Sequence, residues 1–530
     1  MVEWLNTVTA PAAWLVDTVN TWITNYVLLF LLIGIGLFFT IRTRFVQVRC
    51  FGEGMKLVFG KFSLRGGAQK GGLSSFQALA TAIAAQVGTG NIVGACGAIL
   101  IGGPGAIFWM WVIAFFGMAT IYAEAVLAQK TRVVDENGNV KGGPVYYIRT
   151  AFKGAFGKIL AGFFAVATIL ALGFMGSMVQ SNSIAATTGN AIGLPADYGW
   201  LIGLEVATLA AFIFIGGVNR VAAVTEKLVP IMAGLYLLGC LFVLGVRIQY
   251  VPEAFGMIFR YAFDANALIG GGVGAALMAA LTQGAKRGLF SNEAGMGSTP
   301  HAHALAKVKD PHEQGCTAMI GVFIDTFIVL TLTALTVIST LYAGGGVLGQ
   351  QGTYSEVLPD LGKALIATFD KNNLAQMAFG QAFGQVFGAE AGTVIGNSFV
   401  AVCLFFFAFS TILGWNLFGK INAEYLFGKK GVLVYSVIAI VFVFLGSVFS
   451  NDFVWNLTDF FNNMMVLPNV IALAALSGLV VVCAWRKKKK GAALDADALD
   501  AKAEAQTAEE ASADTVKEEI AAEATENANA

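Results

Sequence analysis

Apolar residues run along this chain in blocks longer than the core-facing stripe of a soluble helix, and polar residues collect between the blocks. Val27–Thr40, Phe108–Ala123, Leu160–Met175 and Ile471–Trp485 are examples, each extended by apolar flanks. A bilayer core of about 30 Å is crossed by about 20 such residues in a helix. The pattern predicts eleven spans, near 22–41, 74–101, 104–128, 159–182, 199–217, 228–246, 267–284, 316–343, 392–418, 432–450 and 462–485. The fold class expected is therefore an all-α integral membrane protein. Its organisation reads as a leading segment with one span and a basic loop (1–73), two core halves (74–266 and 267–485), and a tail (486–530) that is basic, then acidic and alanine-rich. That tail has no aromatic residue with which to build a core and is expected to be disordered.

Two spans are interrupted. Residues 74–102 would be about 44 Å long as one helix, and their middle reads Gln86-Val87-Gly88-Thr89-Gly90-Asn91-Ile92-Val93-Gly94. Glycine costs about 1 kcal/mol relative to alanine inside a helix, and Thr and Asn compete for its backbone hydrogen bonds. A second interruption is expected between Gly284 and Pro300, through Lys286, Arg287, Ser291, Asn292 and Glu293. Irregular backbone at membrane depth is tolerated only where it lines a cavity or is buried in protein. With the first span set aside, the two broken spans open two groups of five. An odd number per group inverts the second relative to the first, the pattern of an inverted-repeat carrier with its site at the repeat interface. A half-helix beginning after Gly90 presents free N–H groups suited to a carboxylate, and one ending near Val87 leaves carbonyls suited to a hard cation.

Charge orients the chain. With the N-terminus outside, the loops on the inner side and the tail hold 29 of the 33 Lys and Arg, and the outer segments hold only Arg247, Arg260, Lys363 and Lys371. The basic residues form no stripe that would track a phosphate backbone, so nucleic acid is not an expected partner. Six cysteines without CxxC spacing fall in or beside apolar spans, and small-hydrophobe packing is expected of them instead of a disulfide framework or a zinc site.

Gly102-Gly103-Pro104-Gly105-Ala106-Ile107-Phe108-Trp109-Met110-Trp111, running on to Gly117-Met118-Ala119, resembles the signature of the alanine or glycine:cation symporter family. Val87–Gly94, Gly288–Ser298 and Ser410–Trp415 are similar to further family segments in the same order, over about residues 22–485. The resemblance implies a LeuT-type fold of one helix plus a 5+5 core, and sodium-coupled entry of alanine or glycine across the plasma (inner) membrane of a prokaryote. It implies that Thr89 and Gly90 hold the substrate carboxylate, with Asn91 lining the same point. Gln180 would bond the substrate's polar groups, Trp415 would cover it, and Ser291 and Asn292 would approach from the second break. Sodium would meet the carbonyls of Ala84 and Val87 and the hydroxyls of Ser410 and Thr411. The same residues have plainer readings: Ser and Thr bonding back one turn, Trp415 as a core aromatic, Gln180 as a bridge between helices.

Glu124, Glu205, Lys286, Arg287, Glu293 and Asp325 are the ionisable groups in or beside spans, where charge is costly and usually functional. Lys286 or Arg287 is expected to pair with Glu293 or Asp325, as a structural ion pair or a gate. His301 and His303, two apart in a helix, lie on different faces and make a poor metal pair. There is no P-loop, no HExxH and no nucleophile elbow, so a pump or an embedded enzyme is disfavoured and no organic cofactor is expected. The expected partners are the amino acid, Na+ and membrane lipid, with no obligatory protein partner. Proton coupling, or a larger neutral amino acid such as serine or glutamine, is the alternative.

Overall fold

The computed structural model describes residues 27–60, 73–135, 140–215, 217–263, 275–350 and 369–485, with scattered positions between 14 and 23. The expectation for the acidic tail lies outside the described residues. Nearly everything described is helix. α1 (Leu29–Arg42) ends at a corner where Arg44 and Phe45 take φ of 55° and 54°, and two short helices, Val46–Arg49 and Phe51–Phe59, follow.

α2 (Ser75–Gln86) starts with a capping box. Ser74 Oγ accepts from Gln77 N at 3.0 Å, and Gln77 Oε1 accepts from Ser74 N at 3.1 Å, satisfying two otherwise orphaned donors. The helix stops at Gln86. A π-helical turn (Gly90–Gly94) and α3 (Ala95–Gly102) resume at 45° to it. α4 (Ala106–Thr131) leads into a two-stranded hairpin, β1 (Val133–Val134) with β2 (Val140–Lys141). Then come α5 (Gly154–Ile192), α6 (Gly199–Phe214) and α7 (Gly217–Val246).

α8 (Ala275–Asn292) runs further than the sequence suggested. Gly284 and Gly288, expected within the second break, remain helical because their bare backbone lets α8 lie against α4. A Cβ at Gly284 would come within 2.8 Å of Ala106 O, and one at Gly288 within 3.6 Å of Met110 Cα. The break itself is Glu293–Thr299, where Glu293, Gly295 and Gly297 have φ of 58°, 92° and 78°. α9 (Pro311–Tyr342) follows. α10 (Ala389–Gly446) is continuous except at Gly428, whose φ of 66° divides the two spans expected there. α11 (Asn451–Ala475) is followed by Ser477–Trp485 at a 61° bend.

Among the described residues, six helices are long and apolar enough to cross a membrane, or eight when each bent pair is one span. The outer faces of α6, α7 and α10 carry exposed apolar side chains, among them Phe212, Ile215, Leu238 and Leu433. An apolar surface of that extent is the kind that marks a membrane-facing side. Inward, α10 approaches α2 at Gly414, where a Cβ would come within 3.2 Å of Ala85 Cα. That contact positions the site.

Candidate functional site

The first break is an accounting of backbone groups that have lost their helical partners. Val87 leaves the helix at φ −82°, ψ 85°. Gly88 N donates to Asn91 Oδ1 at 3.1 Å, and Thr89 N donates to Gln180 Oε1 at 3.1 Å. Two side-chain carbonyl oxygens thus take up N–H groups freed by the break. Thr89 Oγ1, Gln180 Nε2 and Ser181 Oγ are buried without a partner. Orphaned polar atoms are few in native interiors, and each calls for an explanation such as strain, a water or a bound group. A Cβ on Gly88 would collide with Thr411 Oγ1 and Gln180 Oε1, so glycine is required for α5 and α10 to close on the break.

Thr411 Oγ1 lies 2.8 Å and Ser410 Oγ 3.4 Å from Ala84 O. Both hydroxyls also bond back to Phe407 O, at 3.1 and 2.8 Å, so the plainer reading of these residues describes a contact they make as well. The donors fit a hard cation. Oxygen ligands at about 2.3–2.6 Å from an ion stand about 3.3–3.7 Å apart in an octahedral shell; Ser410 Oγ already stands at that distance from Ala84 O, and Thr411 Oγ1 reaches it by a small side-chain rotation. Of the two carbonyls singled out in the sequence, Ala84's is the one that receives both hydroxyls.

The second break meets the first through Asp325 on α9. Its carboxylate accepts from Asn91 Nδ2 at 2.6 Å, Ser291 Oγ at 2.9 Å and Thr326 Oγ1 at 2.8 Å. Gln86 Nε2 donates to Asn292 O at 2.7 Å, and Asn292 Nδ2 donates to Thr326 Oγ1 at 3.3 Å. Glu293 accepts from Ser298 Oγ and from the Trp415 indole N–H. Glu124 accepts from Gly295 N and Gly297 N at 3.2 and 3.0 Å and from Asn469 Nδ2 at 2.6 Å, capping the left-handed run. Thr89, Asn91, Gln180, Ser291, Asn292, Glu293, Asp325 and Thr411 are wholly buried.

Lys286 and Arg287 do not reach Glu293 or Asp325. Lys286 Nζ lies 2.7 Å from Asp459 Oδ2, and Arg287 makes two 3.3 Å bonds to the same carboxylate while its guanidinium lies 4.4 Å from the Trp455 ring. Continued helix through Asn292 explains this. It aims both cations at α11, away from the acids beyond the break. Asp459 falls three residues before the apolar run taken as the last span, where an in-span acid search passes it by; Asn469 and Thr326 are uncharged and gave no signal. Glu205 sits on an exposed face of α6. His301 bonds Ser298 O and Asn422, and His303 bonds Gln314, each separately. A cavity of about 710 Å³ lined by Asn190, Gln376, Gln381 and Asn397 shares no lining residue with the breaks.

The profile of the sodium:alanine symporter family matches residues 9–496. The chain belongs to that family. AgcS of Methanococcus maripaludis, a sodium/alanine symporter, is 40% identical across 88% of this chain and 95% of its own length. GlnT of Bacillus subtilis, a probable sodium/glutamine symporter, is 34% identical across 90% of this chain and 91% of its own. MhsT, solved in complex with L-phenylalanine, matches with a TM-score of 0.56 at 14% identity, covering 80% of this chain and 94% of that one. The fold is thus the LeuT type, as the sequence resemblance implied. The symporter is a multi-pass membrane carrier of amino acids and not an enzyme.

Proposed function

We propose that this carrier brings a small neutral amino acid, alanine or glycine, into a prokaryotic cell together with sodium, by alternating access with the N-terminus outside and the C-terminus cytoplasmic. The observation that carries the reading is the closure of aromatic rings over the first break. Phe290 packs edge-on to Trp415 at 5.6 Å, and a Cβ at Gly90 would come within 3.1 Å of Phe290 Cδ1. Gly176 meets the Trp415 ring from α5. Such close-packed walls favour a side chain no larger than a methyl group, which is the reason for preferring alanine or glycine to glutamine. Thr89 and Gly90 N–H groups take the carboxylate once Gln180 Oε1 swings away, and Asn91, Gln180, Ser291 and Asn292 line the space. Ala84, Val87, Ser410 and Thr411 hold the sodium. Lys286 and Arg287 with Asp459 act as a gate. One sodium entering releases about 2.3 kcal/mol per 100 mV, enough for roughly 40-fold accumulation.

Proton coupling is the second reading. It draws on Asp325 and Glu124, which have no basic partner among the described residues. The deciding experiment is uptake of radiolabelled alanine into liposomes containing the purified protein. Accumulation that requires an inward sodium gradient and vanishes in Thr411→Ala supports the proposal. Equal uptake driven by a pH gradient alone transfers coupling to protons, and no uptake under either gradient refutes the substrate.

A further inference from the structure

α9 opens with Pro311-His312-Glu313-Gln314-Gly315-Cys316, and His312 and Cys316, four apart, share a face of its first turns. That face meets the corner after α1. The left-handed pair Arg44 and Phe45 redirects the chain so that Cys50 lies at the junction of helices Val46–Arg49 and Phe51–Phe59. Gly54 permits the approach, since a Cβ there would come within 2.8 Å of Cys316 O. The two thiols and a His312 ring nitrogen consequently lie within 4.8 Å of one another. Cys316 Sγ is 3.5 Å from His312 Nε2, and Glu53 Oε2 is 3.8 Å from the same nitrogen.

We propose that Cys50, His312 and Cys316, with Glu53 as fourth ligand, bind a zinc-class divalent cation that pins helix Phe51–Phe59 to the start of α9. Zinc takes thiolate sulfur at about 2.3 Å and imidazole nitrogen at about 2.0–2.1 Å in a tetrahedron, which sets S···N edges near 3.5 Å. The Cys316–His312 separation already has that value, and Glu53 needs to move by less than about half an ångström. The other ring nitrogen is supported as metal-bound histidines require: Tyr122 Oη, buried, lies 2.6 Å from His312 Nδ1. An Nδ1–H donated to that oxygen leaves the Nε2 lone pair facing the thiols. Both cysteines are buried, whereas the His312 and Glu53 side chains are 17% and 32% exposed, giving the ion an entry edge. The distribution of basic residues puts this corner on the cytoplasmic side, where thiols stay reduced and available to metal. Cys50 and Cys316 are far apart in sequence, and no spacing motif announces them. Their packing role expected from sequence is here joined by a coordinating one. Since Asp325 lies about two and a half turns along α9 from Cys316, the ion anchors the helix that carries the carboxylate joining the two breaks.

The test is metal binding to the purified, full-length protein after chelation under reducing conditions. Zinc competed against a chromogenic chelator is expected to bind once per chain. Cobalt in its place is expected to give a thiolate-to-cobalt charge-transfer band and the intense visible bands of a tetrahedral site. Cys50→Ser and Cys316→Ser should abolish both signals, and Cys240→Ser should leave them. Tyr122→Phe should weaken zinc about 10- to 100-fold while the cobalt spectrum keeps its shape. His312→Gln, at a partly exposed position, serves if the cysteine variants do not accumulate, and its expected result is the same loss. A cobalt spectrum indifferent to Cys50 and Cys316 overturns the proposal. So does failure to take up zinc with both thiols reduced, or recovery of Cys50 and Cys316 as a disulfide from the native membrane.

Discussion

The indole N–H of Trp415 donates to Glu293 across 122 residues of sequence, tying α10 to the left-handed residue that begins the second break. The bond fixes the ring that closes on Gly176 and Phe290 and so sets the room above the first break.

Trp415→Phe keeps an aromatic face but removes this donor from a buried carboxyl group. Leaving a buried acceptor unsatisfied costs about 1–3 kcal/mol, so the alanine KM should rise by about fivefold or more. Trp415→Leu, which also opens volume, should make uptake sensitive to competition by valine and leucine. An unchanged KM in Trp415→Phe would remove Trp415 from the site.

Asp325 receives Asn91 from one break and Ser291 from the other. Asp325→Asn replaces an acceptor by a group that presents a donor to at least one of them. Uptake should fall by about 5- to 140-fold, the cost of one mispaired buried hydrogen bond being about 1–3 kcal/mol. The residual activity distinguishes the coupling readings. With a sodium-linked role, the variant needs more sodium for half-maximal uptake at every pH. With a proton-linked role, the variant loses its response to a pH gradient and keeps its sodium response.

Asp459 holds both Lys286 and Arg287. Removing one member of a buried ion pair leaves uncompensated charge, a cost of about 3–5 kcal/mol. Asp459→Asn leaves two such cations, so uptake should be abolished and the purified carrier should melt at lower temperature. Asp459→Glu should restore part of both. Arg287→Gln, which leaves Lys286 on the carboxylate, should abolish transport with a smaller loss of stability, measured on the same preparations. Uptake unaffected by Arg287→Gln would rule out a gate.

Much of this arrangement was legible in the chain because membrane burial simplifies the code. Apolar length marks the helices, and a Gly-Thr-Gly-Asn run at mid-depth has no reading but a break or close packing. The same ambiguity explains where the reading strayed. Gly284 and Gly288 look like the glycines at 88 and 90, yet they serve contact with α4. The difference is what faces them, a neighbouring helix at Gly284 and Gly288 but the polar side chains of Thr411 and Gln180 at Gly88. Partners across long sequence separation were not legible either. Nothing local marks Asp459 as the counter-charge of Lys286, Asn469 as a support of Glu124, or Cys50 as a neighbour of Cys316.

The distinction between a glycine that closes a site and one that merely sits in a helix supplies a further test. At Gly88 a methyl group would strike Thr411 Oγ1 and Gln180 Oε1, the atoms that converge on the break. At Gly234, within α7, a Cβ would meet nothing within 4 Å. Gly234→Ala should therefore be neutral or stabilising, by up to about 1 kcal/mol from helix propensity, with uptake unchanged. Gly88→Ala should reach the membrane in normal amount, because the surrounding helices bury the same surface, but lose uptake and sodium-dependent alanine binding together. Measuring binding by equilibrium dialysis alongside uptake separates a blocked site from a slowed conformational change. Alanine binding of normal affinity in Gly88→Ala would show that the breaks close on something other than the substrate.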